Sequence, residues 1–103
     1  MVRSLGQRPM TGSDEDPRVT GLRTAVSRLR RELAALPADF PDRGIAEDEL
    51  AALAAMTISG APEIPRLQRS LLLIAGAIGS VSALSRGLGE VRNAVELFGE
   101  QRP

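Results

Sequence analysis

The sequence predicts an all-α protein, a small bundle of four helices, two long and two short, with a central apolar third helix. Two segments carry the same ladder of apolar residues, spaced alternately three and four apart. The ladders are Val19, Leu22, Val26, Leu29, Leu33 and Leu36, and Ile64, Leu67, Leu71, Ile74, Ile78 and Val81. A mean spacing of about 3.5 residues places each ladder on one face of an α-helix, as in coiled coils and packed bundles. No run of residues alternates cleanly, so strands find no support.

The first helix is predicted to begin at Asp16 and to run to about Leu36. Asp is a favourable N-cap because its carboxylate accepts from free N–H groups of the first turn. Pro17 suits the next position, where a missing N–H leaves nothing unsatisfied. Pro37 cannot continue a helix and therefore ends it.

At 103 residues the chain is predicted to hold one domain, and this domain is assigned to residues 16–99. Residues 1–15 are polar, contain Gly and Pro and show no periodicity, which is typical of a disordered tail. They include no apolar stretch of the kind that a secretory signal needs. Met10 is an alternative to Met1 as the first residue.

The second helix is predicted from about Ile45 to Ile58, with Gly60 as the residue that ends it. Three consecutive acids near its start are favoured by the positive end of the helix dipole. Its inner face consists of Ala46, Leu50, Leu53, Ala54 and Thr57. This helix either forms a full leg of the bundle or crosses over, so the relative direction of the two ladder helices stays open.

The third helix is predicted from Pro65 to about Leu84. It differs from the first because no charged residue occurs between Ser70 and Ser85, and because Leu72 and Leu73 lie off the ladder. A helix that is apolar all round is buried on several sides. We therefore expect the third helix to be the centre of the bundle or to lie at an oligomer interface.

The fourth helix is predicted to follow a break at residues 85–87 and to end at Gly99. Its apolar residues again have helical spacing. They are Leu84, Leu88, Val91, Val95 and Phe98. Residues 100–103 are expected to be frayed.

Small residues recur every four positions in and after the third helix, at Ala75, Gly79, Ala83 and Gly87. Such spacing lets two helices approach closely. Three interpretations are open: a tight crossing within the bundle, a homodimer interface, or insertion into a membrane. The uncharged stretch is shorter than the ~20 residues that span a bilayer, so a transmembrane helix is rejected.

These features favour a non-enzymatic protein–protein interaction or self-association module, most simply a homodimer. The predicted interface combines the two leucines that the ladder does not use with the neighbouring small residues. It consists of Leu72, Leu73, Ala75, Gly76, Gly79 and Ala83. A peripheral membrane-associated protein is one alternative.

The first helix is rich in arginine and carries one acid, Glu32. Its arginines are Arg18, Arg23, Arg28, Arg30 and Arg31. Arg23 and Arg30 share a position beside the ladder and could pair with acids of a neighbouring helix. The alternative is weak nucleic-acid binding through this face. The formal net charge of zero and the scarcity of aromatic residues argue against it.

Most groups that perform catalysis are absent, because the chain has no His, Cys, Lys or Tyr. We therefore expect no enzymatic activity and no cofactor. Glu47, Asp48 and Glu49 are consecutive on a helix and point in different directions, so no metal site is expected. The lack of Cys is consistent with a cytoplasmic protein.

All thirteen basic residues are arginine, and Ala, Gly and Leu are abundant, which is typical of high-GC genomes. The phrases LRRELAAL at 29–36 and GSVSALSRGL at 79–88 resemble short Arg- and Ala-rich helical proteins of unknown function from actinobacteria. The resemblance covers residues 14–98. It implies an actinobacterial source and a helical fold, and it brings no activity, cofactor or site.

Overall fold

Four α-helices joined by short connections make up nearly all of the residues that the computed structural model describes, which are 16–37, 40–59 and 62–99. The helices are α1 (Pro17–Ala35), α2 (Arg43–Ser59), α3 (Ile64–Ile78) and α4 (Ser85–Gly99), with a 3₁₀ turn at Ser82–Leu84. Within these ranges no strand occurs, and the predicted all-α bundle of four helices is confirmed. The predicted tail at 1–15, Gly60 and the predicted frayed end at 100–103 lie outside the described residues.

Helices α1 and α2 run antiparallel. The guanidinium of Arg23, near the start of α1, donates to the carbonyl oxygen of Thr57 near the end of α2 at 3.1 Å. At the opposite end, Arg43 from the first turn of α2 donates to the Leu33 carbonyl at 2.6 Å. Helix α2 is therefore a full leg of the bundle.

Helices α1 and α4 are also antiparallel. Arg18 lies over the ring of Phe98 at 4.9 Å, and further along Arg28 pairs with Glu90 at 2.9 Å. Because α2 packs along α3 after a connection of four residues, α3 runs back beside it and parallel to α1. The structure thus answers the question of direction: the two ladder helices are parallel and diagonally opposite.

The core receives side chains from all four helices. Five of the six residues of the first ladder are buried, and Leu36 is half-buried. In the second ladder Leu67, Ile74 and Ile78 are buried, whereas the other three residues are half-buried. Each fully buried Leu or Ile contributes about 1.5–3 kcal/mol, so the ladders account for much of the stability of the fold.

Helix α3 ends at Ile78, six residues before the predicted end at Leu84. Gly79 still has helical backbone angles and donates to the Ala75 carbonyl at 2.8 Å, so it is the last residue that continues the helical pattern. The backbone of Val81 is then extended, with φ −89° and ψ 100°. The chain turns there and enters α4 at Ser85, earlier than the predicted break at 85–87.

The two longest helices are α1 and α2, with 19 and 17 residues, and α3 and α4 have 15 each. The prediction of a long third helix and a short second one is therefore wrong. Helix α2 begins two residues earlier than predicted, at Arg43, whose side chain is tied to the end of α1.

Helix α3 is not the centre of the bundle. It packs mainly against α2 and α4, with α1 diagonally across the core. Its outer side is open to solvent: Leu72 is 73% exposed and Leu73 is 41% exposed. The apolar composition of α3 therefore reflects an uncovered surface rather than burial on every side.

Arg43 joins the end of α1 to the start of α2. Its guanidinium donates to the carbonyl of Leu33 at 2.6 Å, which also accepts from the Leu36 N–H at 3.2 Å, and to the carbonyl of Leu36 at 3.1 Å. The same group lies 5.9 Å from the centre of the Phe40 ring and pairs with Glu47 at 3.3 Å. This cluster fixes the angle at which the chain leaves α1.

Candidate protein interaction face

The side of the bundle formed jointly by α2 and α3 carries the most prominent exposed apolar residues of α3, together with charges of both signs. We call it the α2–α3 face. It consists of Ile45, Asp48, Glu49 and Ala52 from α2 and Arg66, Arg69, Leu72, Leu73 and Gly76 from α3.

Helical geometry explains why these α3 residues point outward. The buried residues Leu67, Ile74 and Ile78 define the inner side of the helix. At about 100° per residue, Leu72 and Gly76 lie almost opposite to Ile74, and Leu73 lies between the outer side and α2. A leucine that is 73% exposed gains little from folding of the single chain.

The contact between Glu49 and Ser70 shows how α2 and α3 are aligned. The hydroxyl of Ser70, a buried residue, donates to the Glu49 carboxylate at 2.9 Å. Ile45 lies one turn before Glu49 and is 46% exposed. Because the two helices are antiparallel, Ile45 and Leu73 lie at similar heights on the face.

A groove of about 260 Å³ runs between the two helices on this face. It is lined by Glu49, Ala52, Arg66, Arg69, Ser70 and Leu73. Its floor is partly apolar, and its rim has carboxylate on the α2 side and guanidinium on the α3 side. The face is thus mixed in charge around an apolar strip, which is the usual anatomy of a protein–protein contact.

The structure brings together three of the six predicted interface residues, Leu72, Leu73 and Gly76. Ala75 is half-buried toward α4. Gly79 lies in the turn after α3, and Ala83 lies in the 3₁₀ turn, so neither shares the outer side of the helix. The four-residue stripe of small residues is broken because α3 ends at Ile78.

The last member of that stripe, Gly87, is used inside the bundle. It is buried on α4, where a Cβ would collide with Oε1 of Glu32 and come within 3.0 Å of Cδ1 of Leu29. A tight crossing within the bundle therefore does occur, but between α1 and α4. Oε1 of Glu32 is buried there and has no hydrogen-bond partner among the described residues.

Sequence reasoning missed the contribution of α2 to the face. The sequence does show that Ile45 lies outside the inner face of α2. The residue of α3 that lies level with Ile45 could not be predicted, because the alignment of α2 with α3 is visible only in the folded chain, where Ser70 contacts Glu49.

Several arginines of α1 are engaged within the bundle rather than presented as a stripe. Arg18 pairs with the N-cap Asp16 at 2.6 Å, and Arg28 pairs with Glu90 at 2.9 Å. The Glu90 carboxylate raises the pKa of Arg28 above its ordinary value, chiefly through the hydrogen bond. Arg23 reaches the neighbouring helix α2, where it donates to the Thr57 carbonyl.

The consecutive acids of α2 point apart. Glu47 pairs with Arg43, Glu49 accepts from Ser70, and Asp48 is exposed. In the described part of the chain, no three acidic side chains converge as ligands of a metal ion would.

A second groove, of about 430 Å³, lies between α1 and α4. Its charged groups are Arg28 and Glu90, which satisfy each other at 2.9 Å. The remaining lining residues are Gly21, Thr24, Ala25 and Asn93.

None of the helices in the described ranges combines the length and the apolar character that crossing a bilayer requires. The longest, α1, alternates its apolar ladder with charged residues.

The fold and the face define a small four-helix protein with an exposed apolar side. Residues 11–99 match a family of unknown function, DUF5955, and the chain belongs to that family. Neither the curated proteins nor the solved structures include a match to it.

Proposed function

We propose that this protein is a non-enzymatic protein–protein interaction module whose docking surface is the α2–α3 face. The observation that carries the proposal is the exposure of Leu72, Leu73 and Ile45 on one side of a 103-residue chain. A domain of this size buries a smaller share of its surface on folding than a larger domain does, so an apolar contact with a partner adds to its stability.

The composition of the chain supports a non-enzymatic role. With no His, Cys, Lys or Tyr, the side chains left for chemistry are carboxylates and hydroxyls. Of those on or beside the α2–α3 face, Glu49 and Ser70 bind each other, and Asp48 is exposed. The absence of Cys supports a cytoplasmic location, and the exclusive use of arginine among basic residues supports an actinobacterial source.

Solution molar mass tests the proposal, with self-association as the measured interaction. Multi-angle light scattering is recorded over a range of concentrations for the wild type, Leu72→Glu and Leu73→Glu. The wild type is expected to exceed the 10.9 kDa of the single chain as concentration rises. Either substitution introduces a charge into the apolar strip and is expected to return the protein to a monomer.

Ile58→Glu is the matched control. Ile58 is 80% exposed on α2, but nine residues from Glu49 and hence on the opposite side of that helix. It is expected to leave the assembly intact. A wild type that stays at 10.9 kDa, or an assembly that survives both leucine substitutions, would overturn the proposed role of this face.

A further inference from the structure

We propose that the α2–α3 face binds a second copy of this chain, with α2 of each copy against α3 of the other. The two copies are related by a two-fold axis that runs parallel to the helices. The inference rests on the proposed function and adds the identity and orientation of the partner. It is carried by the positions of the charges on the face.

Acid and base stand at matching heights on the two helices. Glu49 meets Ser70 directly, at 2.9 Å, which defines a common level. Asp48 precedes Glu49 and Arg69 precedes Ser70, each by one residue, or about 1.5 Å along its helix. Because the helices are antiparallel, the heights of Asp48 and Arg69 differ by only about 3 Å, twice that rise.

A two-fold axis parallel to the helices exchanges α2 and α3 and preserves height. Asp48 of one copy then faces Arg69 of the partner copy, and the symmetry produces the same pair a second time. Both side chains are exposed, and neither has a hydrogen bond or ion pair among the described contacts of the single chain. Two such pairs favour this orientation over arrangements that place like charges together.

The same operation matches the apolar residues. Ile45 lies four residues before Glu49 and Leu73 lies three residues after Ser70, so their heights differ by about 1.5 Å. Ile45 of one copy therefore faces Leu73 of the partner copy, on the same side of both charge pairs. Gly76 and Ala52 keep the surface low on either side of this strip, so the backbones can approach.

The size of the face suits a dimer that dissociates on dilution. Two helices side by side are about 20 Å wide, and 15 to 17 residues are about 22–25 Å long. The projected area of the face is about 500 Å², without the additional area due to the uneven side-chain surface. A standard interface buries about 800 Å² per partner. The charge pairs therefore matter to affinity as well as to orientation.

Charge reversal across the interface tests the inference. Arg69→Glu places two acids together twice in each dimer, and Asp48→Arg places two arginines together twice. Each variant alone is expected to weaken self-association by at least about tenfold. An equimolar mixture of the two variants re-creates both opposite-charge pairs, so a heterodimer of near wild-type affinity is expected.

Sedimentation equilibrium of each variant and of the mixture gives the dissociation constants, with circular dichroism to verify helix content. Arg31→Glu, on the outer side of α1, is the control for an equal change of net charge and is expected to dimerise like the wild type. A heterodimer in the mixture supports the inference.

The failures are distinguishable. If the wild type dimerises and Leu72→Glu or Leu73→Glu prevents it, but the charge reversals have no effect or the mixture is not rescued, this orientation is wrong and the proposed face stands. If the wild type is monomeric at every concentration, the proposed function fails, and this inference fails with it.

Discussion

Helices α1 and α3 carry the same apolar ladder, yet the bundle treats their remaining surfaces differently. On α1 the flanking arginines reach neighbouring helices: Arg23 donates to the Thr57 carbonyl, and Arg28 pairs with Glu90. On α3 the flanks carry Leu72 and Leu73, which remain exposed. The residues that flank the ladder of α1 thus contact neighbouring helices of the same bundle, whereas α3 contacts the bundle through its inner side alone.

A ladder of apolar residues therefore specifies only the face of the helix that enters the core. The function of a helix in a small bundle depends on the residues that the ladder leaves out. Arginines there can bind backbone carbonyls and carboxylates while keeping water contact. Leucines at such positions contribute to stability only when another surface covers them.

The two helices should differ most in how a leucine-to-alanine substitution changes the free energy of unfolding. Leu29→Ala in α1 removes a side chain that is fully buried and is expected to lower the free energy of unfolding by about 2–5 kcal/mol. Leu72→Ala in α3 is expected to change it by less than about 0.5 kcal/mol, because the side chain is already exposed. Urea denaturation followed by circular dichroism measures both, at a protein concentration low enough to exclude association. Comparable losses for the two variants would contradict the assignment of the exposed side of α3.

An intermediate effect is expected at Gly79, in the turn that follows α3. Gly79→Ala places a Cβ against the Ala75 carbonyl and is expected to cost about 1–3 kcal/mol. The matched control is Gly21→Ala in α1, where the space for a Cβ is open. That change is expected to add up to about 1 kcal/mol, since Ala favours helix more than Gly does. A Gly79→Ala variant as stable as the wild type would contradict the close approach of this position to the Ala75 carbonyl.

The smallest effect concerns pH and the start of α1. The guanidinium and backbone N–H of Arg18 donate to the Asp16 carboxylate, which lowers the pKa of Asp16 below 3.8. A lowered pKa in the folded state adds stability above about pH 4, and this stability is lost as pH falls through the folded value. Asp16→Asn keeps an N-cap without the titrating charge, so its Tm is expected to fall less than that of the wild type below pH 4.

The start of α3 provides the contrast. Its N-cap is Glu63, which makes no side-chain hydrogen bond to the helix. Glu63→Ser supplies a hydroxyl of the right reach and is expected to raise stability by up to about 1 kcal/mol. Thermal unfolding of this variant checks the result, and an unchanged or lower Tm would show that the stability of the start of α3 is limited by something other than its cap.

Much of the fold could be predicted from the sequence, because burial follows helical spacing. The ladder of α1 and its N-cap Asp16 were predicted and found. The end of α3 could not be predicted, because the residues after Ile78 continue the same apolar and small-residue pattern. The backbone leaves the helix at Val81, which only the folded chain shows.

The candidate face was predicted in part. Leu72 and Leu73 were identified because they lie off the ladder, which is a local property of one helix. The place of Ile45 on the face, and the matching heights of Asp48 and Arg69, depend on how α2 and α3 align. That alignment is seen in the contact of Ser70 with Glu49, which lie 21 residues apart in the sequence. Local patterns contain no information of that kind.

Methyl NMR spectra recorded over a dilution series test most directly whether the exposed side of α3 is covered in solution. The methyl resonances of Leu72, Leu73 and Ile45 are expected to shift together with concentration. The resonances of Ile58 and Leu97, which are exposed elsewhere on the bundle, should stay constant. Constant resonances at all five residues, or shifts confined to Ile58 and Leu97, would contradict the proposal that a partner covers the exposed side of α3.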